Sequence, residues 1–317
     1  MRNLGIVAIG LLAACGNSDP GAGTDKGPFV DGFEPPALQA GYTRLVMPII
    51  PDIPPGTDKM WCQWVSPPSD GDMDIVNVVG NQSQGGHHIV LYATSTIAPV
   101  GMSRPCNDAD LVSLRFLGAI GGEGASGVSQ GLPPGAVFRL PKGQALMANV
   151  HYVNASTHPI NGQGYLDMKT APPDPSAKVA NLFVNVGDTF AIPASKHYAS
   201  DVNCTVQDTM QVFFFANHMH EWGSAAFTEL VHPDGTKTPV RMDKTWTKEA
   251  VFNPNLDRWP IDAPLIINKG DVVHTHCEWN NTTANELKFP HEMCVGFGVF
   301  VGANEIDCIN GQWPQEL

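Results

Sequence analysis

"FFFANHMHEW", residues 213–222, is apolar enough for a buried strand, yet it carries His218 and His220 two positions apart. Side chains alternate along a strand, so residues at i and i+2 share a face and reach toward the same point. A buried imidazole is costly without a partner, and a metal ion is one partner able to hold two of them together. The stretch therefore reads as a β-strand with a candidate metal site on one face. The same texture recurs in "DIVNVV" (74–79), "HHIVLYATS" (87–95), "QALMANVHYVNAS" (144–156), "VANLFVNV" (179–186), "AAFTELVHPDGTKTPVRM" (225–242) and "MCVGFGVFV" (293–301). These are short runs rich in β-branched and aromatic residues, separated by Gly, Pro and Asn, and "HPDGT" is a hairpin turn signal. Amphipathic helical periods are scarce. The expected class is all-β, built as sandwiches.

The ends and the composition bound the rest. Residues 1–14, MRNLGIVAIGLLAA, join one early positive charge to an apolar run. That run is well under the roughly 20 residues that span a bilayer, so it reads as an export signal. "LLAAC" resembles a bacterial lipobox, which implies cleavage before Cys15, its lipidation, and a lipid anchor outside the cytoplasm. Gly16, where an aspartate would suggest retention at the inner membrane, favours the periplasmic face of the outer membrane or the cell surface; an ordinary cleaved signal with Cys15 incidental is the alternative. Residues 15–40 are rich in Gly, Pro and Asp and read as a flexible tether. A formal charge of −13 argues against nucleic acid and against an anionic lipid surface as partners. Nothing in the sequence calls for an obligate protein partner. The prolines of "TAPPDPSAK" (170–178) cannot sit in central strands. They divide the remainder into expected domains at 41–174 and 175–317.

Of seven cysteines, setting Cys15 aside leaves Cys62, Cys106, Cys204, Cys277, Cys294 and Cys308. An even number in an exported chain suggests three disulfides, and the sequence alone does not choose the pairing. The histidines leave a similar choice. His87 and His88 are adjacent at the head of a strand-like run, so a shared metal requires a twist or bulge, which the glycines before them permit. His151 lies inside another run. His274 and His276, in "DVVHTHCEW", repeat the spacing of His218 and His220, and spacing does not rank the two pairs.

"GGHHIVLYATS", "ANVHYVNAS", "NHMHEWG" and "HEMCVGF" resemble, in order and approximate separation, the ligand motifs of the copper type II, ascorbate-dependent monooxygenases. The similarity covers roughly residues 55–312. The resemblance implies two tandem jelly-roll-type β-sandwich domains with a copper site in each, facing across a cleft. His87, His88 and His151 would hold an electron-transfer copper in the first domain; His218, His220 and Met293 would hold an oxygen-activating copper in the second. It also implies the disulfides Cys62–Cys106, Cys204–Cys308 and Cys277–Cys294. Two further disulfides expected in the family's first domain have no cysteines here. His274 and His276 have no ligand counterpart and read as surface or supporting residues, with an incidental metal site as the alternative.

The ligand types suit copper. Imidazoles serve either oxidation state, and a thioether is a soft donor that favours Cu(I). What the resemblance implies is a monooxygenase that hydroxylates a C–H bond of a small molecule with O2, using two copper ions per chain and ascorbate or another one-electron reductant. No catalytic residue beyond the ligands is implied. The alternative is a non-catalytic periplasmic copper-binding lipoprotein for storage or delivery, disfavoured by the presence of both ligand sets. Family members that act on peptidylglycine use an arginine, an asparagine and a tyrosine to hold the substrate carboxylate. Ala216, Val295 and Phe297 stand at those positions, so the substrate expected is neutral and largely apolar.

Overall fold

The computed structural model describes residues 29–30, 32–68, 71–107, 110, 114–122, 132–252, 254–289, 291–302 and 306–313. The signal at 1–14, Cys15 and the tether as far as residue 28 lie outside the described residues. Strands take up 56% of the described residues and helix 2%, so the class is all-β. Among the described residues no helix is long and apolar enough to cross a membrane. Two compact units part between Ala177 and Lys178, with Pro133–Gly135 grouped with the second.

The first unit is a sandwich of two antiparallel sheets. One orders Tyr42–Val46, Gly164–Ala171, Met73–Gln82 and Ala136–Leu140; the other orders Ser103–Pro105, Asp58–Val65, Ala145–Val153, Gly86–Thr94 and Leu114–Gly121. Ile75, Leu91, Leu117, Leu146, Val150 and Leu166 are fully buried between and within them. The layers meet closely at Gly118, where a Cβ would come within 2.7 Å of Val78 and where φ is +148°. A side chain there would force the sheets apart. Two buried carboxylates are matched by arginines: Asp167 by Arg44 and Asp74 by Arg139, each at 2.7 Å.

The second unit packs two further sheets. Asp257–Arg258, Met210–His218, Cys294–Val301, Asn181–Gly187 and Ile306–Ile309 lie side by side, the last joining its neighbour in parallel. Lys196–Thr205, Val272–Asn281, Gly223–Val231 and Lys237–Asp243 form the opposing sheet. The hairpin expected at "HPDGT" joins the last two in sequence, with Gly235 at φ +83°. Three segments pass from one apolar cluster to another through a single inward-facing polar residue. Phe215, Leu230 and Val273 belong to the first cluster, and Met219, Ala226 and Cys277 to the second. Between them in sequence stand Asn217, Thr228 and Thr275, all fully buried. Thr228 donates to Asn217 Oδ1 at 2.7 Å and meets the Thr275 hydroxyl at 3.0 Å, while Asn217 donates to Asp243 at 2.9 Å. A one-residue slip would turn these groups out of the core and a two-residue slip would set them among the apolar clusters, so the network fixes strand register.

All six cysteines after Cys15 are paired, as Cys62–Cys106, Cys204–Cys308 and Cys277–Cys294. Three disulfides point to folding in an oxidising compartment. The last two bonds close stretches of very different length, 104 and 17 residues. Loop entropy in the unfolded chain grows with that length. Replacing Cys204 and Cys308 together by alanine is expected to cost about 4–5 kcal/mol, and replacing Cys277 and Cys294 about 3 kcal/mol. Urea unfolding under oxidising conditions measures both, and equal losses would show that chain entropy is not the main contribution.

Candidate functional site

The first histidine group depends on a backbone irregularity. Gly86 pairs with Tyr152 and His88 with His151, which leaves His87 as the extra residue of a β-bulge. Adjacent side chains of a regular strand point apart, and the bulge re-aims one of them. The residues before it suit the distortion: Gly85 has φ +77°, and a Cβ on Gly86 would overlap the Gln82 side chain at 2.2 Å. His87, His88 and His151 come together with ring centroids 5.0, 4.6 and 4.9 Å apart pairwise. One ring nitrogen from each lies within 4.8 Å of the others, and the Nδ1 atoms of His87 and His88 are 2.9 Å apart.

His151 supplies the test of whether a metal fits. Its Nε2 lies 2.6 Å from Asp58 Oδ1, on the neighbouring strand. Its Nδ1 is buried with no hydrogen-bond partner. A carboxylate on one ring nitrogen takes the N–H there and leaves the other nitrogen a bare lone pair, as metal-binding imidazoles require. Leaving that lone pair buried and unmet is costly. Three imidazoles, one of them oriented in this way, suit copper or zinc. Asp58 drew no attention in the sequence, because its role depends on a diagonal cross-strand contact.

The second group departs from the expected geometry. The strand ends at His218, and His220 lies beyond it in a turn rather than two positions along a continuous strand. Alternation nevertheless persists: Met219 turns into the apolar core, and the rings of His218 and His220 stand 5.1 Å apart at 84°. His218 is buried with its Nδ1 unpartnered. Burial, followed by the nearby His220, holds its pKa well below the usual imidazole value. It is therefore neutral, the form that binds a metal.

Glu292 secures this turn. It is fully buried, and its Oε2 accepts from His220 N at 3.0 Å, Trp279 Nε1 at 2.8 Å and Met293 N at 3.4 Å. Oε1 accepts from Trp222 N at 2.7 Å. Burial pushes its pKa up to about 7 in spite of those donors. One side chain thus joins the backbone of His220 to that of Met293. Ala216 pairs with Phe297 and His218 with Val295. Glu292 was legible only as a letter inside "HEMC".

The register also gathers the positions expected to contact substrate. Ala216, Val295 and Phe297 share the His218 face of the sheet, and all three are fully buried. Phe214, two residues before Ala216, meets Phe297 edge-on at 6.5 Å. Arg258 pairs with Phe214 from the next strand, its guanidinium 5.9 Å from that ring. This cation escaped the sequence reading because it sits far along the chain from every ligand. His274 and His276 occupy the other sheet, on the side opposite Val273, Thr275 and Cys277, and do not join His218.

Glu292→Ala would leave four N–H groups, two of them in buried hydrogen bonds, without their acceptor. It is expected to cost at least about 3 kcal/mol, with Glu292→Gln costing less because one acceptor oxygen survives. Urea unfolding compares the two; an unchanged stability in Glu292→Ala would show that water replaces the carboxylate.

Residues 175–310 match the model of the copper type II ascorbate-dependent monooxygenase C-terminal domain. No curated protein matches the chain. Among solved structures, the chain is similar to the major capsid protein P2 of bacteriophage PM2, at 8% identity over 83% of this chain and 100% of that one, with a TM-score of 0.40. It is similar also to PBCV-1 VP54, at 8% identity over 92% of this chain and 100% of that one, with a TM-score of 0.31. Likeness at those scores carries no inference about function. The family match spans His218, His220, Glu292 and Met293.

Proposed function

We propose that the protein is an exported, lipid-anchored copper monooxygenase that hydroxylates a C–H bond of a small, largely apolar substrate with O2 and a one-electron reductant such as ascorbate. The observation that carries this reading is the gathering of His87, His88 and His151 in one unit of a chain whose other unit matches the family. His87, His88 and His151 would hold one copper, and His218, His220 and Met293 a second. Copper, when bound, supplies single-electron transfer and the activation of dioxygen.

The chain's own residues prepare that chemistry. Asp58 takes the N–H at His151 Nε2 and leaves the buried Nδ1 available as a donor to a metal. Burial keeps His218 neutral over the physiological range, so protons do not compete for its ring. Met293 brings a soft thioether, which favours the reduced ion, and Glu292 fixes its backbone relative to His220. Ala216, Val295 and Phe297 offer no group that could pair with a carboxylate, so an anionic substrate end placed among them would be desolvated at a cost of several kcal/mol.

Copper added to the reduced apoprotein is expected to saturate at about two equivalents. Reoxidation should give a tetragonal N/O-type Cu(II) spectrum without intense blue colour, because no thiolate is present. A single equivalent would favour a copper carrier instead. Met293→Ile should preserve the fold and abolish oxygen activation, since it exchanges a thioether for an apolar chain of similar volume. Full turnover in that variant would remove Met293 from the site. With ascorbate and O2, a C-terminally glycine-extended peptide should yield no α-hydroxyglycine product. Robust product formation, lost in Arg258→Ala, would identify Arg258 as the carboxylate partner and overturn the substrate assignment.

A further inference from the structure

The strand Val272–Asn281 buries Val273, Thr275, Cys277 and Trp279 on one side and turns His274, His276 and Glu278 to the other. Its neighbours set Asp201 opposite His276 and Glu229 opposite His274. His274 Nε2 and His276 Nδ1 lie 2.8 and 2.7 Å from one and the same atom, Asp201 Oδ1. The far nitrogen of each ring faces a glutamate: His274 Nδ1 is 3.0 Å from Glu229 Oε1, and His276 Nε2 is 3.4 Å from Glu278 Oε1. Phe227 stacks on His276 at 4.8 Å and meets His274 edge-on at 5.7 Å, which restrains both rings.

Ionised carboxylates only accept, so four nitrogen-to-carboxylate approaches call for positive charge in this cluster, carried by the rings or by a bound cation. If each ring donates outward to its glutamate, both inner nitrogens present lone pairs to the place where Asp201 Oδ1 now lies. The Asp201 side chain is 51% exposed, so it is free to swing aside and add its own oxygen. Glutamates on the outer nitrogens then play the part that carboxylates commonly play behind metal-binding histidines. Lys237, 2.6 Å from Glu229 Oε1, is the opposing charge at the edge of the cluster.

We propose that His274, His276 and Asp201 form a third metal site, on the outward side of this sheet, for a borderline divalent transition ion of the zinc class. Two imidazoles and one carboxylate suit Zn(II) or Cu(II), whereas Mg(II) and Ca(II) prefer oxygen donors and Cu(I) prefers soft ones. The site is separate from both copper ligand sets and does not rest on the monooxygenase reading. The same strand carries Cys277, whose disulfide to Cys294 adjoins Met293. A bound ion there would brace the strand from which that loop is anchored.

The test uses the full-length protein, stripped by a chelator and loaded with Cu(I) under anaerobic reducing conditions. It is then titrated with Zn(II) near neutral pH by calorimetry, with both metals measured after desalting. One zinc equivalent is expected without loss of copper, and zinc affinity should fall at least about tenfold in His276→Ala and in the near-isosteric Asp201→Asn. Copper content in both variants should equal that of the parent. Near-UV circular dichroism confirms that each is folded. Equal zinc retention in the parent and both variants would put the ion elsewhere and overturn the proposal. Absence of zinc binding would do so too, as would imidazole resonances showing both rings doubly protonated, since protons would then satisfy the carboxylates. Should copper fail to load, the difference between parent and His276→Ala still reads the zinc site alone.

Discussion

The carboxylate of Glu292 is withdrawn from water and kept in place by N–H donors from His220, Trp222, Trp279 and Met293. The donors come from the turn after one strand, from the opposing sheet and from the residue just before another strand. Taking a carboxylate out of water is unfavourable, and its pKa near 7 records the strain between burial and hydrogen bonding. The arrangement holds because all four donors also need an acceptor in the same dry volume. Loss of any one segment's position would leave the others unsatisfied, so the His220 turn and the Met293 strand are positioned together or not at all.

The disulfide Cys277–Cys294 works on the same joint from a different direction. It ties the strand that carries Trp279 to the first residue of the strand that follows Met293. A covalent bond limits how far the two sheets separate, while Glu292 determines the local path of the backbone between them. Below this joint, the buried Asn217, Thr228 and Thr275 prevent the strands from slipping by a residue. Rigid support of this kind is what a ligand set needs, because displacement of a donor by an ångström is costly to metal affinity.

The first unit solves the corresponding problem with backbone geometry rather than a buried charge. Its bulge at His87 turns two sequence neighbours toward His151, and Asp58 orients the third ring from the adjacent strand. The unpartnered Nδ1 of His151 is the energetic trace of that arrangement. The second unit keeps His218 neutral by burial, and the first places a carboxylate on one ring nitrogen of His151 and leaves the other without a hydrogen-bond partner.

Much of this was legible in the amino-acid order. Short β-branched and aromatic runs with turn residues between them state an all-β chain, because strand periodicity and turn chemistry are local properties. The histidine motifs were legible as well, since a His-x-His spacing or a His-His pair after two glycines is written in consecutive residues. What the tertiary structure alone decided concerns contacts between distant positions. His220 leaves its strand because Glu292, 72 residues on, captures its N–H. Asp58 reaches His151 across a strand boundary 93 residues long in sequence, and Arg258 comes beside Phe214 by sheet pairing. His274 and His276 have the same spacing as His218 and His220, yet they face outward among carboxylates. Which side of a sheet a strand buries is settled by the whole sandwich, and no stretch of the strand's own residues encodes it.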